Sequence, residues 1–142
     1  MKIGLASDHA GYEMKQFLLG MLEALGHEVV DFGTNSKDSV DYPDFAHPLA
    51  EAVVAKKVEI GIAMCGTGNG VNMAVNRHKG VRGVLCWSID IGRLTRQHNG
   101  ANICCLPARF ISNLEAAAIV ESFLSTPFEG GRHQKRIEKI EC

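Results

Sequence analysis

Five short, almost uninterrupted apolar runs constrain the chain most: KIGLAS (2–7), HEVVDFG (27–33), VEIGIAMC (58–65), GVRGVLCW (80–87) and ANICCLP (101–107). A strand with one wet face alternates apolar and polar residues, whereas a run that is apolar at successive positions is buried on both faces. Segments of helical period separate the runs. The clearest has Met14, Phe17, Leu18, Met21, Leu22 and Leu25 at i, i+3, i+4, i+7, i+8 and i+11, and Gly26 stands where such a helix ends. AHPLAEAVVAKK (46–57), VNMAVNRH (71–78), SIDIGRLTRQHN (88–99) and NLEAAAIVESFL (113–124) read as further helices, and EGGRHQKRIEKIEC (129–142) as a closing amphipathic segment. The polar stretch TNSKDSVDYPD (34–44) reads as a long connection. Strands that alternate with helices predict a parallel sheet covered on both faces. The expectation is one doubly wound α/β domain over 1–142, Rossmann-like with a flavodoxin-type strand order, and a C-terminal helix.

In such sheets ligands sit outside the carboxyl ends of the strands. Asp8-His9 follow the first run, Cys65 ends the third and Arg109 follows the fifth, so all three groups are predicted on one edge. The third run continues into Gly66-Thr67-Gly68-Asn69-Gly70. This is not a dinucleotide fingerprint, because Val71 replaces the third glycine and the loop follows the wrong strand. It lacks the GK[ST] of a P-loop, and valine also stands where a Cys-x5-Arg phosphatase needs arginine. What remains is a bed of backbone N–H groups leading into a helix, suited to an anion or a developing oxyanion and favourable to a thiolate at Cys65.

The other candidates are more ambiguous. Asp8 can cap the first helix, and His98 can complement the dipole of the helix it ends. Arg132 and Arg136, at i, i+4, project from one face and suit a phosphate, although Glu129 could pair with Arg132. Cys86, Cys104 and Cys105 lie in apolar runs and read as core, and Cys142 is terminal. No CxxC or CxxH pair suggests zinc, so no metal or cofactor is expected. The net charge of −1 gives no case for nucleic acid, and no apolar run reaches the roughly 20 residues of a membrane span. The N-terminus lacks an apolar leader, which makes the cytoplasm the expected compartment. One thiolate base, one oxyanion bed, one histidine and an arginine pair together suit proton abstraction beside the carbonyl of a sugar phosphate.

The motifs SDHAG (7–11), DYP (41–43), CGTGNG (65–70), RQHN (96–99) and EGGRHQKR (129–136) occur in that order along nearly the whole chain. By them it resembles the type B ribose-5-phosphate isomerases, the family that also holds the subunits of galactose-6-phosphate isomerase. The resemblance implies a pentose phosphate pathway enzyme that interconverts ribose 5-phosphate and ribulose 5-phosphate. The alternative it leaves open is a six-carbon substrate, allose 6-phosphate or galactose 6-phosphate. It implies Cys65 as the base between C1 and C2, and Thr67 with the N–H groups of Gly66, Gly68, Asn69 and Gly70 as the enediolate cradle. His98 is implied as the ring-opening group, and Asp8, Tyr42 and Asn99 as sugar contacts. His9, Arg109, Arg132 and Arg136 are implied phosphate contacts. It also implies a homodimer, or a tetramer of two such dimers, with His98, Asn99 and Arg109 supplied by the partner chain. One branch of the family replaces the cysteine by a glutamate after the glycine loop; Cys65 and Val71 fit the cysteine branch. Pro107 stands where relatives usually carry glycine.

Overall fold

The structure, a computed structural model, describes residues 1–142. Strands β1 (Lys2–Ser7), β2 (Glu28–Asp31), β3 (Ile60–Cys65), β4 (Gly83–Leu85) and β5 (Ile103–Pro107) form one parallel sheet in the order β2-β1-β3-β5-β4. Helices α1 (Tyr12–Ala24), α4 (Ile89–Asn99) and α5 (Asn113–Ser125) cover one face. Helices α2 (Pro43–Val54) and α3 (Asn69–Val75) cover the other, and α6 (Arg132–Ile137) packs on α4. The doubly wound α/β architecture is as expected. The strand order differs in its last pair from the flavodoxin arrangement, because β5 and not β4 lies beside β3. Burial accounts for this. β5, ICCLP, is buried at every position, whereas β4 has three half-buried residues and takes the edge. β2 is the other edge and is likewise only half covered, so neither run is apolar on both faces as its composition suggests.

The core divides by strand parity. Ile3, Leu5, Ile60, Ile62, Met64, Cys104 and Leu106 pack under α1 and α5; Ala6, Ala63, Cys65, Ile103 and Cys105 pack under α2 and α3. Cys86, Cys104 and Cys105 are core residues, as their runs imply.

Helix α1 ends where Gly26 predicts. Gly26 has φ 87°, its N–H reaches the Glu23 carbonyl, and the His27 N–H reaches that of Leu22, the paired bonds of a Schellman cap. Its inward face is rotated from the expected one. Phe17 and Leu25 are exposed, and Lys15 is fully buried beside Met14, Leu18 and Leu22. The Lys15 ammonium is neutralised by Asp31 at the end of β2, with Nζ 2.8 and 2.7 Å from the two carboxylate oxygens; Asp31 also accepts from the Gly33 N–H. Asp31→Ala strands a buried charge, so it is expected to destabilise by about 3 kcal/mol. A calorimetric melting temperature about 6–12 °C lower checks this. Lys15→Met, which removes the charge and keeps the bulk, should lose less; equal losses would show that the pair acts only through packing.

Candidate active site

Chain reversal at β1 and β3 opens a crevice at their carboxyl ends, since α1 leaves to one face and α3 to the other. The segments after these strands are stitched together there. The Asp8 N–H donates to the Met64 carbonyl at 3.3 Å, and the Ala108 and Arg109 N–H groups donate to the carbonyls of Cys65 and Gly66 at 2.9 and 3.0 Å. Asp8, Cys65 and Arg109 therefore share one edge as predicted.

Asp8 caps the 3₁₀ turn His9–Gly11, its Oδ1 accepting from the Ala10 and Gly11 N–H groups. Its second oxygen has no partner in the chain and is left for a ligand. His9 accepts the Val40 N–H at Nδ1, 3.2 Å away. A neutral ring bound in that way carries its proton on Nε2, so His9 presents a donor. The long connection, residues 32–42 between β2 and α2 in the structure, thus fixes the His9 ring, a role its composition does not reveal.

Cys65 is 5% exposed and its side chain lies on the α2/α3 face. In the loop beyond it, the N–H groups of Gly66, Thr67, Gly68 and Gly70 make no hydrogen bond within the chain, and only the Asn69 N–H is engaged, by Thr67 Oγ1 at 3.2 Å. Each glycine admits a different neighbour. At Gly66 a Cβ would stand 3.2 Å from the Arg109 guanidinium, and at Gly70 it would stand 2.6 Å from the Tyr42 ring. Gly68 is the strictest, with φ 76° and a Cβ position 2.5 Å from Leu85 Cδ1 and 3.0 Å from the Leu106 backbone. Arg109 therefore lies against the glycine loop of its own chain rather than being supplied by a partner. Pro107 does not disturb it: the proline ends β5, and its carbonyl accepts from the Phe110 N–H.

His98, Asn99, Arg132 and Arg136 are elsewhere. A crossover helix returns antiparallel to its strands, so α4 ends at the amino edge of the sheet. Arg82, which precedes β4, bonds there to the carbonyls of Asn99 and Gly100. The Glu129 N–H reaches the Gln97 carbonyl, which brings α6 to the same end. His98, Asn99, His133, Arg136, Ile137 and Ile140 line a cavity of about 410 Å³. The strand between the two edges, six residues in β3, is on the order of 20 Å long. The structure thus divides the candidates into a Cys65 half and a His98 half at opposite edges of the sheet.

Neither Arg132 nor Arg136 joins an ion pair. Glu129 faces His133, its carboxylate 3.8 Å from Nε2, instead of pairing with Arg132. The exposed, unpaired guanidinium groups are free to take an anion. No helix is long and apolar enough to cross a membrane.

Residues 3–140 match the family described as Ribose/Galactose Isomerase. The ribose-5-phosphate isomerase B of Escherichia coli K12 is 40% identical over 98% of this chain and 93% of its own. The probable ribose-5-phosphate isomerase B of Mycoplasma genitalium is 46% identical over 97% of this chain and 92% of its own. Among solved structures, a ribose 5-phosphate isomerase from Thermotoga maritima superposes with a TM-score of 0.97 at 48% identity, covering 99% of this chain and 97% of that one. The Mycoplasma genitalium ribose-5-phosphate isomerase B with bound ribulose-5-phosphate superposes with a TM-score of 0.94 at 45% identity, covering 98% and 93%.

Proposed function

The chain belongs to the ribose/galactose isomerase family, and from that premise we propose that it is an aldose–ketose isomerase interconverting ribose 5-phosphate and ribulose 5-phosphate through an enediolate. The observation that carries this reading is the Cys65 thiol at the end of β3, followed at once by four N–H groups with no partner in the chain. Base and oxyanion donors placed side by side are what the proton transfer needs.

Open-chain ribose 5-phosphate has an acidic proton on C2, beside the C1 aldehyde. The Cys65 thiolate removes it and becomes the thiol, and the electron pair moves through C1–C2 onto O1. The loop N–H groups stabilise the resulting enediolate with Thr67 beside them. The same thiol then delivers the proton to C1 while the O2 hydroxyl proton passes to O1, and O2 becomes the carbonyl of the ketose. No electron leaves the substrate, so the chain's own residues account for each atom. Asp8, through its uncommitted oxygen, and Tyr42, packed on the loop, hold the sugar. His9, donating from Nε2, and Arg109 hold the phosphate.

His98 is assigned to opening the furanose ring and Asn99 to a sugar hydroxyl. A five-carbon substrate cannot span the sheet, so this assignment requires a second copy whose amino edge meets the glycine-loop edge of the first. The active form is then a homodimer, with Arg132 and Arg136 of one copy completing the phosphate site of the other. A cytoplasmic location fits a phosphorylated sugar substrate.

The test is turnover of ribose 5-phosphate in EDTA, set beside allose 6-phosphate and galactose 6-phosphate. Preferential conversion of the pentose is expected; faster conversion of a hexose phosphate would move the assignment to the six-carbon branch. Arg132→Ala and Arg136→Ala should each lose about 2–3 kcal/mol of substrate affinity, the range for hydrogen bonds to charged groups, read as a KM rise of about 30- to 150-fold. Inorganic phosphate should compete more weakly against either variant. Because both side chains are exposed and unpaired, the melting temperature should hold. A lower melting temperature with unchanged kinetics would make these arginines structural.

A further inference from the structure

We propose that His133 is the positioning residue for His98, holding its ring in one plane by stacking. The proposal rests on the assignment of His98 to ring opening. His98 lies in the last turn of α4, where backbone restraint is weakest, and its ring makes no hydrogen bond within the chain. The imidazole of His133 fixes it instead, stacked with ring centroids 4.4 Å apart and planes within 14°. His133 is itself immobile. It is 5% exposed, its N–H bonds to the Gly130 carbonyl, and the Glu129 N–H ties the approach to α6 onto Gln97, one residue before His98.

The surroundings of His133 oppose a proton on its ring. The titratable and charged groups facing His133 are His98 on α4, Arg132 and Arg136 on α6, and Glu129 on the approach to α6. Burial and then His98 push the His133 imidazole down; Glu129 opposes them, and Arg132 and Arg136 add smaller downward pushes. His133 is therefore held neutral, and its buried Nε2 keeps no hydrogen-bond partner.

The ligand atoms of His98, Glu129 and His133 also lie within 4.8 Å of one another, a spacing that could hold a metal. Two features oppose a dication there: Arg132 and Arg136 make the local field positive, and the lone pairs of parallel stacked rings do not converge on one point. A positioning stack satisfies both.

The experiment compares His133→Phe, which keeps a stacking face without a titratable group, with His133→Ala, which removes it. Two readouts are taken: kcat from ribose 5-phosphate, which is largely ring-closed, and solvent deuterium wash-in at C1 of ribulose 5-phosphate, which involves no ring step. Rates of net conversion in the two directions cannot serve, because the equilibrium constant ties them together. His133→Ala should lower kcat from ribose 5-phosphate about 10- to 100-fold, the scale of an ångström-sized misplacement, with wash-in and KM nearly unchanged. His133→Phe should recover most of the loss. Equal losses in both readouts, or phenylalanine no better than alanine, would overturn the proposal. His98→Asn is the reference: if it leaves kcat intact, the assignment of His98 fails, whereas a lowered kcat there with an unaffected His133→Ala sinks only the positioning role. A third readout needs no variant. Imidazole NMR of the unliganded wild-type protein should show His133 gaining its proton only below the ordinary imidazole range; a value at or above that range would put a charge in the stack and overturn it.

Discussion

Cys65→Ser is expected to lose about 10²–10⁴-fold in kcat, the range for removing a positioned acid/base group, while KM changes little. A serine hydroxyl is nearly the size of the thiol but far less acidic, so the glycine loop still receives the substrate and no base is present to remove the C2 proton. Position makes the expectation specific. Of the four buried cysteines, Cys65 alone ends its strand at the crevice. Cys104 and Cys105 lie deeper in β5, where burial pushes both thiols up; for Cys104 the larger cause is its contact with Cys86. Cys86→Ser and Cys104→Ser should lower the melting temperature and leave kcat per folded molecule alone. More than about a tenth of the wild-type rate in Cys65→Ser would require another base.

Mixing Cys65→Ser with His98→Asn should restore activity that neither variant has alone. If each site joins the glycine-loop edge of one copy to the amino edge of another, a heterodimer contains one site with both residues intact and one with neither. Random pairing of equal amounts makes half the molecules heterodimers, and half their sites are functional, so about a quarter of wild-type activity should return in a two-fold symmetric dimer. The recovery should follow the rate of subunit exchange, and brief denaturation and refolding together should speed it. A mixture no more active than its components would place His98 and Cys65 of the same chain in one site. That would contradict the roughly 20 Å that a six-residue strand puts between the two edges.

Most of the Cys65 half of the candidate site was legible because Asp8, His9, the glycine loop and Arg109 each lie next to the strand that carries them; Tyr42, ahead of α2, does not. Knowing that Ser7, Cys65 and Pro107 end three parallel strands is enough to bring Asp8, the glycine loop and Arg109 together. The His98 half depends on where a helix ends, and the rule that crossover helices run back to the amino edge was a sufficient signal to separate it. Strand order was harder to read, because GVRGVLCW and ANICCLP have similar composition. What distinguishes them is Arg82 with Gly83 in the first run, which shortens the strand to three residues and suits it to an edge. Lys15 was hidden for another reason. Periodicity assigns apolar residues to the inner arc of α1, and only the three-dimensional approach of Asp31 allows an ammonium to replace one. The stack of His133 on His98 depends likewise on the packing of α6 against α4, which no local pattern encodes.

The fit of the glycine loop bears on how such an enzyme can diverge. A side chain at Gly68 would meet the Leu106 backbone in a left-handed conformation, one at Gly70 the Tyr42 ring, and one at Gly66 the Arg109 guanidinium. The end of β5 and the Tyr42 ring would both have to give way, and a substitution at Gly68 or Gly70 reshapes the loop only with damage. Selection for a longer or differently configured sugar therefore has little to act on here. In the proposed dimer the variable ground is the opposite wall, where the ends of α4 and α6 carry exposed side chains at Asn99, Arg132 and Arg136. Drift in substrate preference should begin there, with the chemistry of C1 and C2 inherited unchanged.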